Sequence, residues 1–328
     1  MLELEFKSGS YKEFIQYLSE ILHVSAGDDF IELPTSFGEG YYKALELPNG
    51  LQSLISEIEY HSDVLFRRSS SDEVYCTIHF NEIQISDSYK FIKGGTVFED
   101  KNEKRIGVTL TSSTENVDLI IKKGTYSKTI NILLPKNWLQ ENLNRFNELE
   151  SLTKFTSFSN TLTHPEPFDA QYRILFNEVF NVARVHPLYN LIVKNRIMLL
   201  LEHFLSRLYK NVQATNNRPH KKVKTADLSK LMEIESQLVK DFSLQPPTIM
   251  SLAENAGMSV SKLKTAFKKV YGTGIYEYYQ KNRMQKARSL LLTGQYTVKE
   301  VGLQLGYTNL SNFSLAFRKE FGILPSQV

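Results

Sequence analysis

The chain has 328 residues, of which 41% are hydrophobic and 23% charged, with a formal net charge of +3. That length supports two or three domains, each able to bury a core of its own. A single cysteine, Cys76, excludes a disulfide framework within the chain and fits a reducing compartment. No apolar run reaches membrane-spanning length, and the opening MLELEFKSGSYKEF has neither the basic nor the apolar region of a secretory signal. A soluble, cytoplasmic protein without membrane contact is expected.

In chain order, LELEF alternates like a strand and Tyr11 to Leu22 has helical spacing. Between Tyr41 and Pro135 the runs YYKALELP, LQSLISEIEY, DVLFRR, EVYCTIHF, EIQIS, RIGVTLTSS, VDLIIKK and KTINILLP are β-rich, with Gly, Asn, Asp and Ser between them. Many short strands at such spacing predict a sandwich or barrel. Gly38-Glu39-Gly40 reads as a turn into the first of these strands. A helix starts at Pro135 and runs towards Leu149, and the polar stretch 150–168 reads as a connection. Helices are predicted over Ala170 to Val182 and Leu188 to Lys210. The second is apolar at Leu191, Ile192, Met198, Leu199, Leu201, Phe204, Leu205 and Leu208, a stripe wide enough to be buried in the chain or to form half of a dimer interface. Asn211 to Lys224 is polar, contains a proline and is basic at its end, the composition of a linker. Ala226 to Asp241 then reads as the first helix of the last domain. The expected division is a β-rich domain over 1–150, a helical segment over 151–211, a linker over 212–224 and an all-α domain over 225–328.

The last domain says nearly the same thing twice. Ser251 to Gly272 and Glu300 to Gly322 each contain a short helix with a tiny residue (Ala253, Gly302) and a glycine four residues later (Gly257, Gly306). Each then has an apolar residue and a Phe four apart (Leu263/Phe267, Phe313/Phe317), a basic pair and a closing glycine. The second copy carries one extra residue between its inner glycine and its Phe. Two helices meeting steeply need a residue without bulk where they touch and one that tolerates positive φ at the corner, which is the pattern of a helix-turn-helix. The connector from Gly274 to Gln295 reads as one helix of about 18 residues, roughly 27 Å long at 1.5 Å per residue. With the widths of the two units added, that approaches the roughly 34 Å between successive major-groove faces. From Thr248 to Val328 there are eleven bases against four acids, so this part carries +7 and the remainder −4. A basic module on an acidic body is the footprint of a nucleic-acid binder.

On these residues the stretch from Ile249 to the C-terminus resembles the DNA-binding domain of AraC/XylS-type transcription regulators. The likeness is carried by Leu252-Ala253, Gly257-Met258-Ser259, Leu263, Phe267-Lys268, Gly272, Tyr278, Arg283, Ala287, Leu290-Leu291, Val301, Gly306-Tyr307, Ser311, Phe313, Phe317-Arg318-Lys319, Phe321-Gly322 and Pro325. One departure bears on specificity. Where members of that family often carry an arginine two residues before the second Phe, this chain has Leu315, and Thr265 stands at the matching place in the first unit. The resemblance implies a multidomain α+β protein: an N-terminal cupin-like barrel or sandwich that senses a ligand, a helical dimerisation segment, and a C-terminal tandem helix-turn-helix. The pattern from Gly38 through Leu134 is similar to the sensing half of the siderophore-responsive members of the family.

The implied partners are double-stranded promoter or operator DNA, RNA polymerase, a small-molecule effector and a second copy of the chain, with activation as the expected outcome and no cofactor. Base contacts are expected from Ser261, Lys262, Lys264 and Thr265 in the first unit and from Leu310, Ser311, Asn312 and Leu315 in the second. Asn suits adenine, Lys suits guanine, and Leu or Thr suits a thymine methyl. Lys268, Lys269, Lys281, Arg318 and Lys319 are placed for phosphates. For a ligand pocket in the β-rich domain the candidates are Tyr41, Arg67, Tyr75 and Phe80. None of the seven histidines shows a cupin metal pattern or zinc-finger spacing, and His79 reads as a wall residue of a strand. No nucleophile elbow, Walker loop or dinucleotide fingerprint occurs, so no catalytic residue and no enzyme activity are expected. The alternatives are a cupin-type enzyme with a helical tail, or an architectural protein that binds DNA without sequence preference.

Overall fold

The computed structural model describes residues 1–6, 9–71, 73–93, 96–100, 104–143, 167–217 and 225–328. The predicted connection 150–168 lies outside them except for its last two residues, as does the end of the helix predicted to reach Leu149. The chain divides into two compact units, Met1–Phe168 with Leu175–His220, and Asp169–Ile174 with Lys221–Val328. From Leu175 onward the predicted helical segment groups with the strands.

In the first unit, β1 (Leu2–Phe6) and α1 (Tyr11–Leu22) precede ten further strands. These are β2 (Phe30–Glu32), β3 (Gly38–Glu46), β4 (Gln52–Tyr60), β5 (Val64–Arg68), β6 (Tyr75–Gln84), β7 (Tyr89–Lys93), β8 (Thr96–Asp100), β9 (Lys104–Ser112), β10 (Val117–Ile121) and β11 (Tyr126–Pro135). They form a five-stranded sheet in the order β1-β5-β10-β7-β8 and a six-stranded sheet in the order β2-β3-β4-β11-β6-β9. All pairings are antiparallel except β1 with β5. Helix α1 is amphipathic, capped by Ser10 accepting from the Glu13 N–H, and buries Tyr11, Phe14, Ile15 and Leu18. Those side chains join Leu4, Phe37, Tyr42, Tyr60 and Tyr75 in one core.

The β-rich reading holds, with four corrections of detail. EVYCTIHF and EIQIS, predicted as two runs, make one strand, β6, continuous to Gln84. Gly38-Glu39-Gly40 belongs to β3 rather than to a turn before it, since these residues already pair with Ile58 to Tyr60. The short β2 and the β7–β8 hairpin were not predicted, although the Gly94-Gly95 pair between YKFIK and TVFED is a hairpin signal. Finally, the helix predicted to stop at Lys210 runs on to Asn217, taking six residues from the predicted linker. Nothing between Lys210 and Asn217 breaks a helix; Pro219 is the first residue that would.

After α2 (Lys136–Leu143), the helices α3 (Ala170–Asn181) and α4 (Tyr189–Asn217) follow. Of the predicted stripe on α4, Leu201 and Phe204 are buried, together with Val193, Ile197 and Leu200, whereas Leu191 is 66% exposed.

The second unit contains α5 (Thr225–Val239), α6 (Ile249–Asn255), α7 (Val260–Tyr271), α8 (Ile275–Leu292), α9 (Val298–Gln304) and α10 (Leu310–Phe321). Pairs α6–α7 and α9–α10 are the two predicted repeats, and α8 is the predicted connector at 18 residues. Each repeat has its own small core. Leu252, Ala253, Leu263 and Phe267 pack with Leu231, Ile234 and Leu238 of α5 and with Ile275 and Tyr278 of α8. Val301, Leu305, Phe313 and Phe317 pack with Met284 and Ala287 further along α8. The extra residue of the second copy lies in its turn, where Tyr307 to Asn309 replace Met258-Ser259.

The two special residues of the second turn act differently. Gly302 faces its partner helix, and a Cβ there would stand 2.8 Å from Leu310 Cδ2 and 3.3 Å from Phe313 Cδ1. Gly306 has φ +72°, and a Cβ there would meet the Ser243 carbonyl oxygen at 2.5 Å. Its counterpart Gly257 also has positive φ (+59°), but its nearest neighbour is the flexible end of Lys230 at 3.5 Å. Gly306→Ala should therefore destabilise the chain by about 2 kcal/mol or more, and Gly257→Ala by only about 1 kcal/mol, since the latter adds left-handed strain without a clash. Urea unfolding followed by far-UV circular dichroism measures both; equal losses would contradict the difference in packing.

Candidate nucleic-acid interface and ligand cavity

In both reading helices, burial of the i, i+4 apolar pair turns the opposite face outward. Leu263, Phe267, Phe313 and Phe317 are fully buried. Ser261, Lys262, Lys264, Thr265, Lys268 and Lys269 are exposed on α7, and Ser311, Asn312, Leu315, Arg318 and Lys319 on α10. Leu310 is half-buried beside Gly302. The faces are not equivalent. That of α7 is cationic, whereas the middle of α10 is neutral, with Leu315 66% exposed, an apolar side chain held out in water.

Capping leaves the polar residues of these faces available. Ser259 caps α7 by accepting from the Lys262 N–H at 3.2 Å. Asn309 caps α10 by accepting from the N–H groups of Ser311 and Asn312 at 2.8 and 3.3 Å. The Ser311 and Asn312 side chains are thus not the caps. Gly272 and Gly322 close the two helices, with Lys268-Lys269 and Arg318-Lys319 in their last turns, where cations suit the helix dipole. Among the predicted cations, Lys262 Nζ donates to Asp227 Oδ1 at 2.7 Å, and Lys281 pairs with Glu277 one turn away at 3.1 Å. Both lysines are solvent-accessible, so these pairs hold them weakly.

Helix α8 grips α5 on one side and the second repeat on the other through residues whose partners the sequence did not reveal. Tyr278 Oη donates to the buried Glu235 carboxylate at 2.8 Å, and Arg173, in the short segment that belongs to this unit, donates to the same carboxylate from Nε and Nη2 at 2.9 and 2.5 Å. Burial, and then the Glu235 charge, pushes the Tyr278 phenol well above its ordinary range. On the other side Arg283 donates from Nε and Nη2 to the Leu305 carbonyl at the end of α9 and stacks over the Tyr307 ring at 4.0 Å. Gln280 donates to Tyr307 Oη at 2.6 Å.

The first unit holds a cavity of about 260 Å³ between its two sheets. Strand alternation gives it two unlike walls. The five-stranded sheet contributes Leu4, Phe6, Phe66, Phe91, Leu119 and Ile121, a largely apolar wall that ends at Arg67 and Arg68 of β5, from which Arg68 reaches across to the other sheet. The six-stranded sheet contributes Thr77, His79 and Asn81 from β6, Thr129 and Asn131 from β11, and Thr109 and Thr111 from β9, a wall of hydroxyls, amides and one imidazole. Of the predicted pocket residues, Tyr75 and Arg67 line this cavity; Tyr41 and Phe80 do not. Tyr41 stacks on Phe30 beneath the Arg184 guanidinium, 4.6 Å away, and Phe80 packs 6.3 Å from Phe168. Both point to the opposite side of their strand. One step along each strand, Tyr42 and His79 are the residues that face inward.

The polar wall is wired in one direction. Arg68 Nη1 can only donate, so Thr111 Oγ1 accepts from it at 2.9 Å. The Thr111 hydroxyl then donates to His79 Nε2 at 2.8 Å, which leaves the proton of the neutral ring on Nδ1, donated to Asn131 Oδ1 at 2.8 Å. Burial pushes the His79 pKa down to about 4, with the Arg68 charge adding to the shift and the Asn131 hydrogen bond opposing it. An unfolded chain takes up this proton near the ordinary 6.5, the folded one only near 4. Between those values the unfolded state binds more protons, so stability is complete above about pH 6.5 and declines as the pH falls towards about 4, by at most about 3 kcal/mol. Urea titrations across that range should show the decline, and His79→Gln should remove the part that His79 supplies.

A family model described as "Helix-turn-helix domain" matches residues 252–328. The chain is 34% identical over 81 residues to the HTH-type transcriptional regulator AlkR of Acinetobacter baylyi, covering 25% of this chain and 26% of that protein. It is 30% identical over 84 residues to the virulence regulon transcriptional activator VirF of Yersinia enterocolitica, covering 26% and 31%. The match thus spans about a third or less of the relatives' own length. Among solved structures, a transcriptional regulator with an AraC-type DNA-binding domain from Chromobacterium violaceum is 28% identical, covering 32% of this chain and 92% of that one, with a TM-score of 0.29. Residues 252–328 of this chain are a helix-turn-helix domain of the AraC family.

Proposed function

We propose that the whole chain is a sequence-specific, DNA-binding regulator of transcription, acting in the cytoplasm and switched by a small molecule held in its first unit. The observation that carries the reading is the doubled helix-turn-helix with two outward faces on one shared helix, in a segment of the AraC family. Ser261, Lys262, Lys264 and Thr265, and in the second copy Leu310, Ser311, Asn312 and Leu315, would read base edges. Lys268, Lys269, Lys281, Arg318 and Lys319 would hold phosphates and fix register. The Asp227 and Glu277 pairs on Lys262 and Lys281 would be exchanged for DNA at little cost. Leu315, where an arginine is common in the family, would trade a guanine contact for a thymine methyl.

In this reading the first unit is a cupin-like sensor, and the cavity with one polar and one apolar wall supports that role. The partly exposed side of α4, with Leu191, Met198, Leu199 and Leu205, is the surface we assign to pairing with a second copy. Effector in the cavity would shift the population of dimers able to occupy two half-sites, and with RNA polymerase engaged the result would be activation, as the name of the relative VirF, a transcriptional activator, suggests.

The test is binding to genomic fragments selected by the purified protein. Lys264→Ala with Asn312→Ala should abolish preference for selected over random DNA while the circular dichroism spectrum stays native. Lys268→Ala with Lys269→Ala should instead weaken binding to every sequence and reduce the slope of log K against log salt by about 2. A double mutant at 264 and 312 that still prefers the selected fragments would refute the base-reading assignment.

A further inference from the structure

Arg68 is the least expected residue of the cavity wall. Its Nη1 donates to Thr111 Oγ1, and its Nη2 to the carbonyl of Ser112 at 2.6 Å and, at 3.5 Å, to that of Glu115. All three acceptors are neutral, and its Nε–H is buried without an acceptor. Two other arginines of this unit face carboxylates instead: Arg67 those of Glu3 and Asp118, and Arg196 that of Glu178. A guanidinium cannot shed its proton to escape burial, and among the described residues no carboxylate bonds Arg68 directly; the Glu115 charge acts on it only from a distance, an arrangement that opposes folding. The sheet register seats it beside Phe6 and Val117, at one end of the aromatic wall. The phenols of Tyr11 and Tyr75 are near enough to feel its charge.

We propose that the cavity takes a small amphipathic organic acid, its carboxylate paired with Arg68 and its apolar body on Phe6, Phe66 and Phe91. This deepens the sensor reading of the first unit and rests on it. The carboxylate supplies a directly bonded counter-charge, the apolar wall takes the body, and the Thr129, Asn131 and Thr109 groups accept or donate to whatever polar substituent faces them. A cation is excluded by the Arg68 charge, and a hydrocarbon would leave that charge without a directly bonded counter-charge. Size sets a second limit. A cavity of roughly 150 Å³ holds a benzene ring, so this one holds about ten non-hydrogen atoms.

Phenylacetate and octanoate have that size, and 2-phenylacetamide and octanamide are their neutral counterparts. Titration calorimetry of all four into the full-length protein near neutral pH should give the acids roughly tenfold to a hundredfold tighter binding than the amides. Arg68→Gln should erase that preference, and Arg68→Lys should retain part of it. Amides binding as tightly as acids, or an acid preference that survives Arg68→Gln, overturns the assignment of ligand class while leaving a sensor of neutral molecules standing. Binding by none of the four overturns both. The wild-type comparison decides between acid and amide even if a variant fails to fold.

Discussion

The second unit depends on how one helix distributes its side chains. Helix α8 gives Ile275 and Tyr278 to one small core, and Met284 and Ala287 to another. Neither repeat has enough apolar surface to stand alone, because each contributes only two short helices. Sharing a strut solves that problem and fixes the separation of the reading faces, since an 18-residue helix is stiff at roughly 27 Å. The polar grips on α8 reinforce the arrangement. Glu235 receives Tyr278, and the Leu305 carbonyl receives Arg283, so that backbone and side-chain groups at the ends of neighbouring helices are satisfied rather than left buried and bare.

The first unit works by a different constraint, the period of two in a strand. Because β6, β9 and β11 pair in register, Thr77, His79, Asn81, Thr109, Thr111, Thr129 and Asn131 converge on one wall. Their alternates, such as Ile78, Phe80, Val108, Ile130 and Ile132, are buried on the other side. A polar interior wall is expensive unless its groups satisfy one another. The directed chain from Arg68 through Thr111 and His79 to Asn131 does so in part, and among the described residues it leaves the charge of Arg68 as an unmet demand, beside the unpaired Ser127 hydroxyl. In many proteins such a demand marks a site where stability has been given up for function.

The two reading faces are alike in backbone and unlike in chemistry. With a side-chain cap, a closing glycine and a basic last turn in each, α7 presents lysines where α10 presents Asn312 and Leu315. An asymmetric pair of faces suits a half-site whose two grooves carry different bases, with electrostatics dominant at one and shape and methyl contacts at the other.

The sequence by itself determined the second unit almost completely. The tiny residues, the corner glycines and the i, i+4 aromatic pairs are local, and a helix obeys local rules, so both repeats, the connector and the exposed faces were legible before any fold was known. It also determined that the first unit is β-rich, because strand composition is local too. What only the tertiary structure decided was which side of each strand faces the cavity, since a shift of one residue exchanges Tyr41 for Tyr42 and Phe80 for His79, and no local pattern fixes that parity when both faces are buried. Partnerships across long sequence distances were likewise decided only there: Arg68 with Thr111, and Arg173 and Tyr278 with Glu235, are pairings that chain folding alone brings within reach.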